Sequence, residues 1–195
     1  MSAIVQTTSG SFDPLSLTEA KKHLRIEFDH DDSYIIDLIA DAQSMVENDT
    51  WRILSSATFK LYLDRFPYQS RQINIYKSPV SAISSFEYYV DGVLTSVDSS
   101  SYYTDTVTNP ARIVLKDGYA WPTNGDVRPS SVIITFTCGY SSAAEIPGPL
   151  LRALRLMVAH FYENRQPSKQ GAGVSSVDVP MAYEWLIVPY KSSFF

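Results

Sequence analysis

The sequence predicts an α+β fold, a mainly helical body with an antiparallel β-module inserted into it. Three observations carry this. Two widely separated blocks, near 31–48 and 147–165, repeat apolar residues at three- and four-residue spacing. The intervening stretch, from about 57 to 140, instead alternates and is rich in β-branched and aromatic residues. Asp91-Gly92, Asn109-Pro110 and Asp117-Gly118 punctuate that stretch as turns. The expected organisation is a flexible arm over 1–14 and one domain over 15–190 that carries the β-module at about 57–140. A mobile loop over 166–176 and a tail over 191–195 complete it.

The first residues, Met1 to Phe12, are small, polar and unpatterned, hence the arm. Ser16 followed by Glu19 is a capping box, so a helix is expected from about Leu17 to Arg25. The connector IEFDHDD offers Asp31 or Asp32 as the next N-cap, where a carboxylate also meets the positive end of the helix dipole. Ile35, Leu38, Ile39, Ala42, Met45 and Val46 then form the apolar face of a helix ending near Asn48.

In the β-module, Phe59, Leu61 and Leu63 alternate with Lys60, Tyr62 and Asp64. Ile73 and Ile75 mark a second strand closed by Ser78-Pro79. Phe86 to Val90 and Val93 to Val97 flank Asp91-Gly92 as a hairpin. Tyr102 to Thr104 and Arg112 to Leu115 are shorter strands, and VIITFTCGY, Val132 to Tyr140, is the strongest and central one. The serine runs Ser81 to Ser85 and Ser96 to Ser101 read as turns. Pro147 fits a first helical turn, and Leu150, Leu151, Leu154, Met157, Val158 and Phe161 give the following helix its stripe. That helix should pack on the second. A short helix opened by Asp178 and Pro180 ends before Pro189, with Met181, Trp185 and Leu186 as its expected buried face.

With 195 residues, 45% apolar and 13% aromatic, the chain can hold a core and bury roughly 70% of its unfolded surface. No apolar run approaches the ~20 residues that cross a bilayer, and the start lacks the features of a secretory signal. The single cysteine, Cys138, permits no internal disulfide and reads as a buried thiol. Sixteen basic against twenty-one acidic residues, net −5, leave no basic cluster to grip phosphate, so a nucleic-acid-binding module is disfavoured.

The only metal-like cluster is Asp29, His30, Asp31 and Asp32, which on an enzymatic reading is a divalent-ion or hydrolase site. Adjacent residues diverge in direction, no supporting ligand stands at a useful spacing, and capping explains the aspartates. His23 and His160 sit on helices without a motif. Gly171 and Gly173 follow no strand and precede no Lys-Ser/Thr, so no phosphate loop is present. Thirteen tyrosines and three tryptophans without interleaved basic residues point to core and protein interface.

Several segments, in order, resemble the head–tail connector (head-completion or adaptor) proteins of long-tailed bacteriophages and prophages. They are LTEAKKHLRI, the DD-S-YI-IDLIADAQSMVE helix, SPVSAISSFEYYVDG, ARIVLKDGYAWP, VIITFTCGY, IPGPLLRALRLMVAHFYENR and PMAYEWLIVPYK, spanning about Leu15 to Tyr190. The family often has glycine where Trp51 stands. The resemblance implies a structural protein of the virion head–tail junction, made in the host cytoplasm, without enzymatic activity, cofactor or metal. It implies a homo-oligomeric ring, dodecameric in the virion, beneath a portal protein and next to tail or stopper proteins, with DNA only as passing cargo and no membrane. It also places the contacts with portal or neighbours on the segment 166–195, with Lys169, Gln170, Asp178, Met181, Tyr183, Trp185, Leu186 and Tyr190 as candidate interface residues, and the arm Met1 to Phe12 as a lesser candidate.

Overall fold

The computed structural model describes residues 2–123, 125–165 and 181–192. The expected loop 166–176 and most of the tail lie outside them. The chain divides into two compact units, a β unit (Met1–Ser11, Ser55–Ser141, Ser192–Phe195) and a helical unit (Phe12–Leu54, Ser142–Lys191).

In the β unit, β1 (Ser2–Gln6), β2 (Ala57–Leu63), β4 (Val80–Val90), β5 (Val93–Ser96) and β8 (Val132–Cys138) form one sheet in the order β1-β2-β8-β4-β5. A second sheet has the order β3-β7-β6, from β3 (Gln72–Ile75), β6 (Tyr102–Asp105) and β7 (Ala111–Leu115). The β-branched run of β8 lies centrally, with Ile134, Phe136 and Cys138 fully buried. Phe59 and Phe86, likewise buried, sit on the strands either side of it, and the Phe59 ring lies 5.8 Å from that of Phe136. Phe66 stacks on Trp121 at 5.6 Å and meets Phe86 and Tyr88 edge-on at 5.9 and 5.4 Å, so many aromatics serve this core.

Two expectations need correction here. The N-terminal arm is a strand over Ser2–Gln6, because its backbone runs antiparallel to β2 and Thr7, Thr8 and Ser11 continue that attachment to Thr58 and Ser56. Ser81 to Ser85 are part of β4 rather than a turn, since pairing with β8 outweighs the weak strand preference of serine, and register shifts absorb the misfit.

Gly139 ends β8 at φ +115°, with its N–H on Pro79 O at 2.8 Å. A Cβ there would come within 2.8 Å of the Ser55 carbonyl. Gly139→Ala is therefore expected to cost at least ~2 kcal/mol, read as a lowered urea midpoint, because neither the backbone conformation nor the neighbouring main chain gives way cheaply.

In the helical unit, α1 (Leu17–Leu24) has both arms of the capping box, Ser16 and Glu19. Arg25 closes it at φ 59°, and Ile26 N–H reaches Lys21 O at 3.0 Å. Because Arg25 is exposed in this left-handed position, Arg25→Gly is expected to stabilise the protein by ~0.5–1 kcal/mol, visible as a raised Tm. Helix α2 (Asp32–Thr50) buries Ile35, Leu38, Ile39, Ala42 and Val46. Trp51 at its end takes φ 59°, the conformation that glycine would adopt most cheaply. Helix α3 (Gly148–Glu163) buries Leu150, Ala153, Leu154, Met157 and Val158 and packs on α2. Helix α4 (Met181–Ile187) packs on α3 and continues into a 3-10 turn, Val188–Tyr190.

Candidate functional site: the α4 face and the acidic connector

The last helix is held from beneath. Tyr183, 1% exposed, donates its hydroxyl to Asp49 Oδ2 at 2.7 Å, and Ile187 is buried one turn on. Burial, and then the Asp49 carboxylate, raise the Tyr183 hydroxyl above its ordinary range, so it stays a donor at any physiological pH. Arg52 Nε donates to Tyr190 O at 3.1 Å, and its guanidinium lies 5.6 Å from the Tyr190 ring centre, fixing the following turn.

What this anchoring leaves outward is apolar. Met181, Trp185 and Val188 are 74%, 76% and 59% exposed, at i, i+4 and i+7. Beside them a groove of about 510 Å³ is lined by Arg152, Leu156, Met181, Ala182, Trp185 and Leu186. The expectation that Met181, Trp185 and Leu186 form the buried face is thus wrong: Tyr183 and Ile187 do, because Tyr183 finds a carboxylate on α2, and Leu186 is only half-buried. Of the candidate interface residues, Met181 and Trp185 are brought together on the surface, Tyr183 and Tyr190 are anchors, and Lys169, Gln170 and Asp178 lie outside the described residues. Val188, Arg152 and Leu156 were missed. The i, i+4, i+7 spacing from Met181 could have found Val188; the α3 pair depends on tertiary packing.

The acidic connector is engaged in ion pairs. Lys21 Nζ lies 2.6 Å from Asp29 Oδ1 and 2.7 Å from Asp32 Oδ1. Asp31 stands at the N-cap of α2 without a side-chain capping bond. Its Oδ2 instead accepts from the Tyr162 hydroxyl at 2.6 Å and from Arg165 Nη2 at 2.8 Å. The Arg165 guanidinium is 4.7 Å from the ring centres of both Tyr34 and Tyr162, so it rests against two aromatic rings. His30 is largely exposed and stacks on Phe28 at 4.2 Å. Among the described residues, no group of three His, Cys, Asp or Glu could hold a metal ion. The cluster ties α1, α2 and the end of α3 together.

The Tyr162 hydroxyl first, then Arg165, hold the Asp31 carboxyl below its ordinary value of 3.8. Asp29 is lowered by the hydrogen bond from Lys21. A carboxyl lowered in the folded state contributes fully above its unfolded value and loses that contribution as pH falls through the folded one. Tm should therefore drop as pH falls from about 4 downward, and Asp31→Asn should flatten that acid limb while lowering Tm at neutral pH. A thermal melt at each pH reads both.

No helix among the described residues is long and apolar enough to cross a membrane. Cys138 is buried and forms no disulfide. Comparison with known proteins adds the following. Residues 14–102 match the family model described as phage gp6-like head-tail connector protein, whose members are structural proteins rather than enzymes. No curated protein matches the chain. Among solved structures, the chain is similar to one in the neck of an empty gene transfer agent particle computed with C6 symmetry, at TM-score 0.81 and 22% identity, covering 99% of this chain and 97% of that one. A chain of the native gene transfer agent virion follows at TM-score 0.79, 22% identity and coverage of 98% and 96%. A chain of the native neck computed with C12 symmetry gives 0.78, 22%, 99% and 97%. The fold is therefore shared over both units, and residues 14–102 are similar to the phage gp6-like head-tail connector family.

Proposed function

We propose that the protein is a structural subunit of the virion head–tail junction, assembling there as a homo-oligomeric ring between a portal protein and the tail. DNA passes through the ring as cargo. The observation that carries the reading is full-length likeness to chains of a virion neck, including necks computed with C6 and C12 symmetry. The net charge of −5 and the lack of a basic cluster in the sequence agree with a conduit that does not hold the polyanion it transmits.

The face of Met181, Trp185 and Val188 with the Arg152 groove is the portal-facing surface on this reading. An exposed tryptophan on a firmly anchored helix is the kind of residue that dominates interface energetics once covered. The subunit is made in the host cytoplasm and joins the particle when its partners present their surfaces. Light scattering tests this on the protein alone and mixed with the portal protein of the same particle. A mass corresponding to a ring, alone or on the portal, supports the reading, and a monomer that ignores the portal overturns it.

A further inference from the structure

We propose that the five-stranded sheet continues from one copy of this chain to the next, by parallel pairing of β5 in one copy with β1 in its neighbour. The inference rests on the ring reading and names a surface that closes the ring.

Among the described residues β1 and β5 are the two ends of the strand order, so each presents one backbone edge without a ladder partner there. Free edges in natural sheets are normally guarded by charge, proline or a covering segment. Here β1 reads SAIVQ and β5 reads VLTS, with neither charge nor proline. Both also expose apolar side chains, Val5 at 48%, Val93 at 64% and Leu94 at 41%.

Direction and register agree with a head-to-tail contact. Every neighbouring pair in the sheet is antiparallel, and five is an odd number, so β1 and β5 run the same way. A second copy in the same orientation, related by rotation about a ring axis, brings them together in parallel. Thr7 N–H bonds to Thr58 O at 2.8 Å, so the alternation turns the backbone groups of Val5 toward β2 and those of Ile4 and Gln6 outward. Val97 N–H bonds to Phe86 O at 2.9 Å, which by the same alternation turns Leu94 and Ser96 outward. In parallel pairing an outward residue stands opposite an inward one, so Leu94 faces Val5 of the neighbour and bonds to the backbone of its Ile4 and Gln6.

The side chains agree as well. Val5 pairs with Lys60, Lys60 with Thr135, and Thr135 with Ser85, and partners across a ladder share a face. Ser85, Glu87 and Tyr89 alternate onto that face, and Tyr89 pairs with Leu94. Val5 and Leu94 therefore meet on one side, while the buried face of Phe59, Phe86 and Phe136 continues across the junction. Antiparallel pairing of β5 with β1 would invert the faces, and β5 with β5 would close as a two-fold dimer. The ladder is short and weak alone, but each copy in a ring makes the contact twice.

The test uses the full chain, alone and with its portal protein. In the double variant Val5→Cys, Leu94→Cys, opposed Cα atoms would be about 4.8 Å apart, within disulfide range. Mild oxidation is expected to give a ladder of covalent multimers up to the ring, absent from either single variant. Leu94→Pro removes the outward N–H without touching the bonds to β4, and is expected to shift native mass from ring to monomer at unchanged circular dichroism. Rings that form without a ladder and persist in Leu94→Pro overturn the edge pairing and leave the ring reading intact. Covalent dimers from Leu94→Cys alone overturn it in favour of the two-fold contact. If the unmodified chain forms no ring in either condition, the ring reading falls and the pairing with it.

Discussion

Tyr183→Ala is expected to destabilise the helical unit by about 3–5 kcal/mol, the range for truncating a buried aromatic. The side chain is 1% exposed, so its removal opens a cavity between α4 and α2 and also loses the hydrogen bond to the Asp49 carboxylate. Tyr183→Phe keeps the ring and loses only the hydrogen bond, so ~1–2 kcal/mol is expected. Urea unfolding of the two variants separates packing from hydrogen bonding. If Tyr183→Ala unfolds at the wild-type urea midpoint, α4 is not held as described.

Trp185→Ala makes the opposite demand. The indole is 76% exposed and one turn from Met181, so stability should move by no more than ~0.5 kcal/mol. On the proposed reading, portal binding should weaken at least ~30-fold, about 2 kcal/mol, as expected when a tryptophan at the centre of an interface is truncated. Titration calorimetry against the portal protein reads this directly. Unchanged affinity would move the portal contact off this face. The two variants sit two residues apart and differ in direction because one side chain faces α2 and the other faces out.

Much of the fold was legible because its signals are local. The Ser16 and Glu19 capping box, the apolar stripes of α2 and α3, the Asp91-Gly92 hairpin and the alternation of β2 each lie within a few residues of the contacts they specify. What failed depends on partners far away in sequence. β1 has little pattern of its own, and its attachment is decided by β2 and by Thr58 and Ser56, about fifty positions on. The serines of β4 become strand only because β8 is there to pair with. Asp31, one of the two aspartates expected to cap α2, stands at the N-cap, but Tyr162 and Arg165 present a hydroxyl and a guanidinium, and its carboxylate turns to them instead.

The α4 face shows the limit most clearly. Both sides of that helix carry large side chains, Met181 and Trp185 on one and Tyr183 and Ile187 on the other. Hydrophobicity alone does not choose between the two pairs. Tyr183 is selected because its hydroxyl can be satisfied by Asp49, 134 positions away, while Met181 and Trp185 stay exposed. Met181 and Trp185 stand out in the sequence, but which side of α4 they occupy is decided by packing.

The central claim, that this chain joins head to tail, is tested most directly by electron microscopy of particles assembled without it. When the gene is deleted in the phage or prophage that encodes it, separate heads and tails are expected, with joining restored by the wild-type gene supplied in trans. Normal numbers of intact tailed particles in the deletion would contradict the account.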